Sequence, residues 1–491
     1  VINRLPWHFW LAMVAGALQV LSFAPFGFWP SGVVSLTLFY WLATKGSLAR
    51  QGLMHYGFAL GLFGCGVSWI YVSIHTYGGA SPLLAGAMTL LFVLLWSLTF
   101  IPQGLLLGYV RNSDPLTRVP WFSITFVLGE WFRGWFLTGF PWLYVGYAHA
   151  DTWIGSWAPI GGVLLVSFVV VLAAELLGRA LIKPHKLHLI CLLALVTTTA
   201  LLNNARFVEP DGFLEVAGIQ ANLDQHTKWQ PQQFDSNLSR HQGLMADLPP
   251  VDLVVWSEAS FTRFADLAED KLSALDEAMI AENQGLLVGL PSRDENGYFN
   301  GVRGLGLAKG DYQKRHLVPF GEYVPLAPLL RGSIAFFDLP MSYNQPGPWR
   351  QPAIEVGGRA ISLSICYEIS DAELVRQTLA NPALLITISN DTWFGESIGP
   401  MQHLQIAQMR ARELGRSLFR VTNNGVTAFI SSKGMVQDQL PRYVAGVLVS
   451  RVPLFKGQTL YGQLGHWPIV LVLIGLLLGA LALKVKKQRP G

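Results

Sequence analysis

The first two hundred residues are a train of apolar windows separated by short polar breaks. A helix needs about 20 apolar residues to cross the roughly 30 Å hydrocarbon layer of a bilayer. Windows of that kind fall at 6–24, 28–44, 53–74, 83–110, 119–137, 159–182 and 187–203, with one more at 466–484. Between 204 and 465 the pattern changes. Short apolar runs (LEVAGIQ, VDLVVWSE, GLLVGLP, GLGLAKG, AISLSICYE, ALLITISND and RSLFRVTNNGVTAFIS) alternate with stretches of acidic and apolar periodicity at 266–283, 371–380 and 401–417. Buried strands and covering helices of an α/β fold read this way. The pattern therefore predicts a seven-helix membrane part at 1–203, an α/β domain at 204–465, and an eighth helix with a basic tail at 466–491.

Composition agrees, and charge adds an orientation. The 491 residues are 51% hydrophobic and 13% charged, against about 25% charged in an average soluble chain, which excludes a disordered protein and a wholly soluble one. Residues 204–465 carry a net charge of −5 and the remainder +9. The positive residues recur at alternate breaks: Arg4; Lys45 and Arg50; Arg111 and Arg118; Arg179, Lys183 and Lys186; then Lys484, Lys486, Lys487 and Arg489. Positive loops stay in the cytoplasm, so this parity predicts cytoplasmic termini and a periplasmic α/β domain. The first window also fits a cleaved signal peptide, but the unbroken parity of the later windows favours a membrane helix. The overall +4 does not mark a nucleic-acid binder, since Lys and Arg cluster only at the C-terminus.

Few polar residues interrupt the windows. Glu130 and Arg133 in GEWFRGWF stand three apart on one helix face, and read equally as a self-neutralising pair or as a substrate contact. The aromatic stretch that follows, TGFPWLYVGYAHADTWIGSWAPIGG, fits an interfacial belt or a seat for a lipid. Eight spans would also suit a transporter, yet no repeat or mid-bilayer pair marks a transport path.

No phosphate loop, zinc helix or G-x-S-x-G elbow is present, so neither metal nor cofactor is expected. Three cysteines cannot make a disulfide framework. VDLVVWSE carries Glu258 to the end of a buried strand, where a carboxylate is either a base or a helix cap. AISLSICYE ends a strand at Cys366, a nucleophile candidate whose thiolate a helix start and a nearby cation would favour. Lys314, in YQKRHLVPFGEYVP, sits in a loop and stands out by no physical signal of its own.

WSE at 256–258, KRHLVPFGE at 314–322 and ICYE at 365–368, in that order, resemble the Glu-Lys-Cys triad of the nitrilase superfamily. With the eight windows and the stretches QANLDQHTKW, ISNDTWFGESIGPMQHLQIAQMRA and GFPWLYVGY, nearly the whole chain resembles the bacterial apolipoprotein N-acyltransferases. The resemblance implies an α-β-β-α sandwich and an inner-membrane enzyme. Its reaction moves an acyl chain from a phospholipid, typically phosphatidylethanolamine, to the α-amine of the diacylglyceryl-cysteine of an apolipoprotein. It implies Glu258 as base, Cys366 as thioester-forming nucleophile and Lys314 as oxyanion donor. Glu322 and Glu368 would be acidic partners orienting Lys314, and Trp229, Asn300 and Tyr367 substrate-handling positions. A membrane-tethered amidase or nitrilase using the same triad is the alternative. Lipid substrates would require apolar loops near the site, for which 333–343 (SIAFFDLPMSY) and 391–395 (DTWFG) are candidates; packing in the domain's own core is the competing reading of both.

Overall fold

The computed structural model describes residues 7–111, 119–332, 342–378 and 381–488. Of the expected features, most of the 333–343 loop and the charges at Arg4, Arg118 and Arg489 lie outside these residues. The chain forms two compact units, one of residues 1–70, 83–205 and 464–491, the other of 71–82 and 206–463.

The first unit is helical. Among the described residues three helices are long and apolar enough to cross a membrane: Pro82–Val110, Trp153–Ile182 and Trp467–Lys484. A fourth is added if Leu48–Gly66 and Trp69–Tyr77, inclined by 49°, form one broken span. The other apolar windows fold as Trp7–Val20, Trp29–Ala43, Trp121–Arg133 and Lys186–Leu202, of 14, 15, 13 and 17 residues. At 1.5 Å per residue such helices reach about 20–26 Å, less than the hydrocarbon thickness. Helices Trp7–Val20 and Leu48–Gly66 approach so closely that a Cβ on Gly16 would lie 1.9 Å from the Phe58 carbonyl oxygen, and one on Gly61 1.8 Å from that of Met13. Only glycine permits this backbone contact.

Glu130 and Arg133 are both buried, 3.8 Å apart. Arg133 donates to the Trp142 carbonyl at 2.6 Å, and Glu130 Oε1 accepts the Val145 N–H at 2.7 Å. The pair thus pins the aromatic stretch, whose Trp142, Tyr144 and Tyr147 are buried. Residues 140–150 of that stretch are thus packed interior, while Trp153 is exposed. A second buried carboxylate, Glu175, accepts from Ser123 and Arg179.

The second unit holds two mixed sheets. The first is built from β1 (Glu209–Gln220), β2 (Leu253–Trp256), β3 (Gly285–Asp294), β4 (Gly297–Gly306), β6 (Asp311–Gln313) and β13 (Gly446–Lys456), in the order β13-β1-β2-β3-β4-β6. The second contains β5 (Ala308–Lys309), β7 (Ile354–Val356), β8 (Arg359–Ile365), β9 (Leu384–Ser389), β10 (Leu418–Thr422), β11 (Ala428–Ile430) and β12 (Val436–Gln439), in the order β12-β11-β10-β9-β8-β7-β5. β1, β2 and β3 run parallel, as do β8, β9 and β10. Successive strand residues face opposite ways. Leu253 and Val255 of β2 therefore join Leu363 and Ile365 of β8, Ile386 of β9 and Phe419 of β10 in a core between the sheets. Val254 and Trp256 pack instead with Phe234, Leu238, Leu272 and Leu275 of the helices Phe234–Met245 and Glu269–Ala281. Burial on both faces explains why β2 reads as an unbroken apolar run. Ala372–Thr378 and Gly399–Leu414 cover the second sheet, completing the helix–sheet–sheet–helix layering.

Two expected strands are corrected. GLGLAKG is split between sheets, because Gly306 at φ +64° and Gly310 at φ +106° turn the chain. RSLFRVTNNGVTAFIS is the antiparallel pair β10–β11, broken at Asn423–Gly425.

Candidate active site

Three chain segments leave these sheets at adjoining points and deliver the reactive groups. Glu258 follows β2, Lys314 follows β6, and Cys366 follows β8 directly. Lys314 is buried, with Nζ 2.9 Å from Glu322 Oε1 and 3.5 Å from Glu258 Oε1. The Asn300 side-chain amide bridges the two carboxylates, donating to Glu258 Oε1 at 2.7 Å and Glu322 Oε1 at 3.3 Å. Glu258 Oε2 accepts the backbone N–H of Asn390, the residue after β9, at 2.8 Å. A carboxylate oxygen has two lone pairs. Among the described residues Oε1 is therefore engaged twice and Oε2 once, which leaves Oε2 able to take a proton. Burial opposes the charge of Lys314, but the carboxylates of Glu322 and Glu258 hold its pKa above the ordinary lysine value.

Cys366 is partly buried and adopts φ +52°, a left-handed conformation costing about 1–3 kcal/mol for a non-glycine residue. Burial pushes its thiol up to about 12, and the charge of Glu258 adds to the push, outweighing Lys314 and a hydrogen bond with Ser389. Burial and Glu258 thus oppose the thiolate, while the nearby cation expected to favour it is present as Lys314. A five-residue 3₁₀ turn, Cys366–Ser370, follows the cysteine, too short for much helix-dipole support.

Glu368 departs from its expected role beside Lys314. Its Oε1 accepts the N–H groups of Arg315 (2.7 Å) and His316 (3.2 Å), and its Oε2 accepts Ile365 N–H (2.8 Å) and Tyr312 O–H (2.9 Å). It ties the loop after Lys314 to the strand end before Cys366. Glu322, in contrast, does meet Lys314, and its Oε2 accepts Val318 N–H at 2.8 Å. Asn300, expected to handle substrate, lies among the carboxylates. Tyr367 is buried edge-on to the His316 ring, and Trp229 is 42% exposed.

Residues 15–176 match the family of apolipoprotein N-acyltransferase N-terminal domains, and 215–459 match the carbon-nitrogen hydrolases. A protein from Azotobacter vinelandii named apolipoprotein N-acyltransferase is 44% identical over 98% of this chain and 95% of its own length. One of the same name from Pseudomonas syringae pv. tomato is 43% identical over 94% of each. The chain belongs to the apolipoprotein N-acyltransferase family. A carbon-nitrogen hydrolase superfamily structure from Xanthomonas campestris is 19% identical, covering 49% of this chain and 91% of that one, with a TM-score of 0.38.

For a member of the apolipoprotein N-acyltransferases, the site holds several groups that the motifs did not disclose. Behind Cys366, His403 Nε2 lies 3.1 Å from the Cys366 carbonyl oxygen, and His403 Nδ1 is 3.1 Å from Arg420. Arg420 also donates to Asp391 Oδ2 at 2.6 Å, and Ser389 Oγ to Asp391 Oδ1 at 2.7 Å. Burial works against ionising Asp391, yet Arg420 and His403 hold it below the usual carboxylate range. Asp391, Thr392 and Phe394 are buried, so most of DTWFG is interior rather than a lipid-facing loop. Trp393 packs against Tyr77 at 5.9 Å, and its carbonyl accepts from Ser73 at 2.8 Å, both from the 71–82 segment. Ser389, Asp391 and His403 fall within the stretch ISNDTWFGESIGPMQHLQIAQMRA that carries the resemblance, but nothing in it marks them as one network with Arg420.

Proposed function

We propose that this protein transfers a fatty acyl chain from a phospholipid to the α-amine of the diacylglyceryl-cysteine at an apolipoprotein N-terminus, through a thioester on Cys366. The carrying observation is that three strand ends bring Cys366, Glu258 and Lys314 together, with Lys314 Nζ 3.5 Å from Glu258 Oε1 and both groups interacting electrostatically with the thiol. Glu258 Oε2 takes the thiol proton as sulfur attacks the ester carbonyl. The oxyanion forms at Lys314 Nζ and the N–H of Tyr367. Collapse breaks the ester C–O bond, and the lysophospholipid oxygen leaves with the proton from Glu258. In the second half the amine attacks the thioester, Glu258 accepts an amine proton, and the amide forms as the thiol is restored. Trp229 and Tyr367 contact the substrates, while Asn300, Glu322 and Glu368 hold the base, the lysine and the loops.

Long acyl chains cost about 0.8 kcal/mol per CH₂ exposed to water, which favours a site fed from a bilayer. We read the chain as eight crossings at 1–203 and 466–491 with both termini cytoplasmic. Residues 204–465 then form the periplasmic catalytic domain of an inner-membrane protein, and phosphatidylethanolamine is the natural donor. Intact-mass spectrometry after incubation with that lipid should find a hydroxylamine-labile acyl adduct, absent in Cys366→Ala, that a diacylated peptide removes with gain of an amide-linked chain. Free fatty acid with no acylated peptide would support the tethered hydrolase; an adduct persisting in Cys366→Ala would remove the nucleophile.

A further inference from the structure

Lys228 lies beside this site and has no part in the scheme above. It is 1% exposed, and its Nζ has one hydrogen-bond acceptor among the described residues, the carbonyl oxygen of Ala259 at 3.3 Å. An ammonium has three protons to donate, so this burial is not explained by local satisfaction. Ala259 directly follows Glu258 and is itself left-handed, at φ +49°. The backbone around Lys228 is fixed: its N–H bonds to the Asp224 carbonyl, and its own carbonyl accepts from Asn237 at 2.9 Å.

The charges explain why a cation belongs there. Asp391 is matched by Arg420, and Arg315 lies beside Glu368 through Tyr312. Among the described residues Lys314 alone is ion-paired with both Glu258 and Glu322. Counted over those residues the cluster is one positive charge short, and an uncompensated buried charge is expensive. Lys228 interacts electrostatically with Glu258 and closes the count. Among the described residues the other titratable neighbours are His241, on the helix Phe234–Met245, which Arg240 also influences, and Asp224, whose carbonyl accepts the Lys228 N–H. The His241 ring is buried against Trp256.

We propose that Lys228 is a positioning residue of the acyl-transfer site, its ammonium holding the Ala259 turn and supplying the second positive charge that lets Glu258 act as a base beside Cys366. The proposal rests on the acyl-enzyme reading above. Burial brings the Lys228 ammonium down to about 8, against the pull of Glu258. The charge is therefore present below that pH and lost as pH rises through it. Arginine stays charged throughout.

The test is the single-turnover rate of Cys366 thioester formation from phosphatidylethanolamine in mixed micelles, measured from about pH 6 to 9.5 for the wild type, Lys228→Met and Lys228→Arg. Thermal unfolding checks that each variant is folded. The wild-type rate should fall as pH passes about 8. Lys228→Met should be slower by about 10²-fold at neutral pH and lack that fall. Lys228→Arg should keep most of the rate and extend it to higher pH. A wild-type profile with no fall up to about pH 9.5 would overturn the proposal even if neither variant folds. So would a folded Lys228→Met with the wild-type rate and profile. Absence of any thioester in the wild type would instead strike the acyl-enzyme reading itself.

Discussion

Replacing Glu258 by Gln removes a base while keeping its shape, and the expected loss follows from the thiol. With Cys366 pushed up to about 12, roughly one molecule in 10⁵ holds a thiolate at pH 7. An enzyme that waited for that fraction would run about 10⁵-fold slower than one whose base removes the proton during attack. Glu258 is also, after burial, the larger of the two charges holding the thiol up, so its neutralisation brings the thiol down and returns part of the loss. We expect Glu258→Gln to form the Cys366 thioester about 10³-fold more slowly at pH 7, within the 10²–10⁴ range usual for general-base catalysis.

The residual reaction should also change character. In the variant the rate should rise about tenfold per pH unit between neutrality and pH 9, because it follows the thiolate. A modest stability loss of about 1–3 kcal/mol should accompany it. Asn300 and Lys314 donate to one oxygen of Glu258 and Asn390 N–H to the other, so the glutamine NH₂ meets a donor whichever way it turns. Intact-mass time courses under single-turnover conditions supply the rates, and thermal unfolding in detergent supplies the stability control. A folded Glu258→Gln protein within tenfold of wild type at pH 7, or one whose residual rate ignores pH, would refute the assignment of Glu258 as base.

Lys314→Met should reduce thioester formation by about 10²–10³-fold through loss of an oxyanion donor. It should also destabilise the protein by about 3–5 kcal/mol by leaving Glu258 and Glu322 without the Lys314 ammonium; a melting temperature equal to wild type at pH 7 would contradict it. Asp391→Asn should cost about 3 kcal/mol at neutral pH. The native carboxyl of Asp391 is held below its usual range, so its contribution is complete above about pH 4 and is lost as pH falls below that. Melting curves of variant and wild type should therefore converge in acid, and a constant gap down to about pH 2 would count against this.

The strands that deliver the site were legible because both of their faces are buried. β2 is an unbroken apolar run, and β8 and β9 interrupt theirs mainly with the small hydroxyl residues Ser362, Ser364, Thr387 and Ser389; the runs give way near Glu258, Cys366 and Asn390, where the chain leaves the core. Elements with a mixed composition were not legible. The helix Phe234–Met245 buries Phe234, Asn237, Leu238 and His241, which is the correct helical spacing, but two of its four core positions are polar. β13 carries Pro453 and Arg451, tolerable because it is an edge strand of its sheet and misleading to a pattern that looks for central ones. The membrane count was blurred for a different reason. Windows of apolar residues report composition, whereas Trp121–Arg133 is set by its ends, Pro120 before it and Gly134 after it, which shorten what can be helical.

At the site itself, side chains with a known chemistry could be read and the groups that hold them could not. Glu258 and Cys366 stand out as reactive groups at the ends of apolar runs, whereas Lys314 is singled out by its motif alone. Much of what fixes them is main chain: Asn390 N–H on Glu258, Val318 N–H on Glu322, and the N–H groups of Arg315, His316 and Ile365 on Glu368. Every residue but proline has such a donor, so no residue type signals which one is used. The state of the cysteine was open for the same reason. A helix start and a nearby cation favour a thiolate, burial of the thiol and the carboxylate beside it oppose one, and the last two come from the packing of two sheets. A cysteine left neutral in this way would be silent until a base and an ester meet it together, so reactivity would be gated by substrate rather than standing ready in the resting enzyme. Slow alkylation of Cys366 by small polar reagents at pH 7, accelerating with pH well beyond neutrality, is what that arrangement demands.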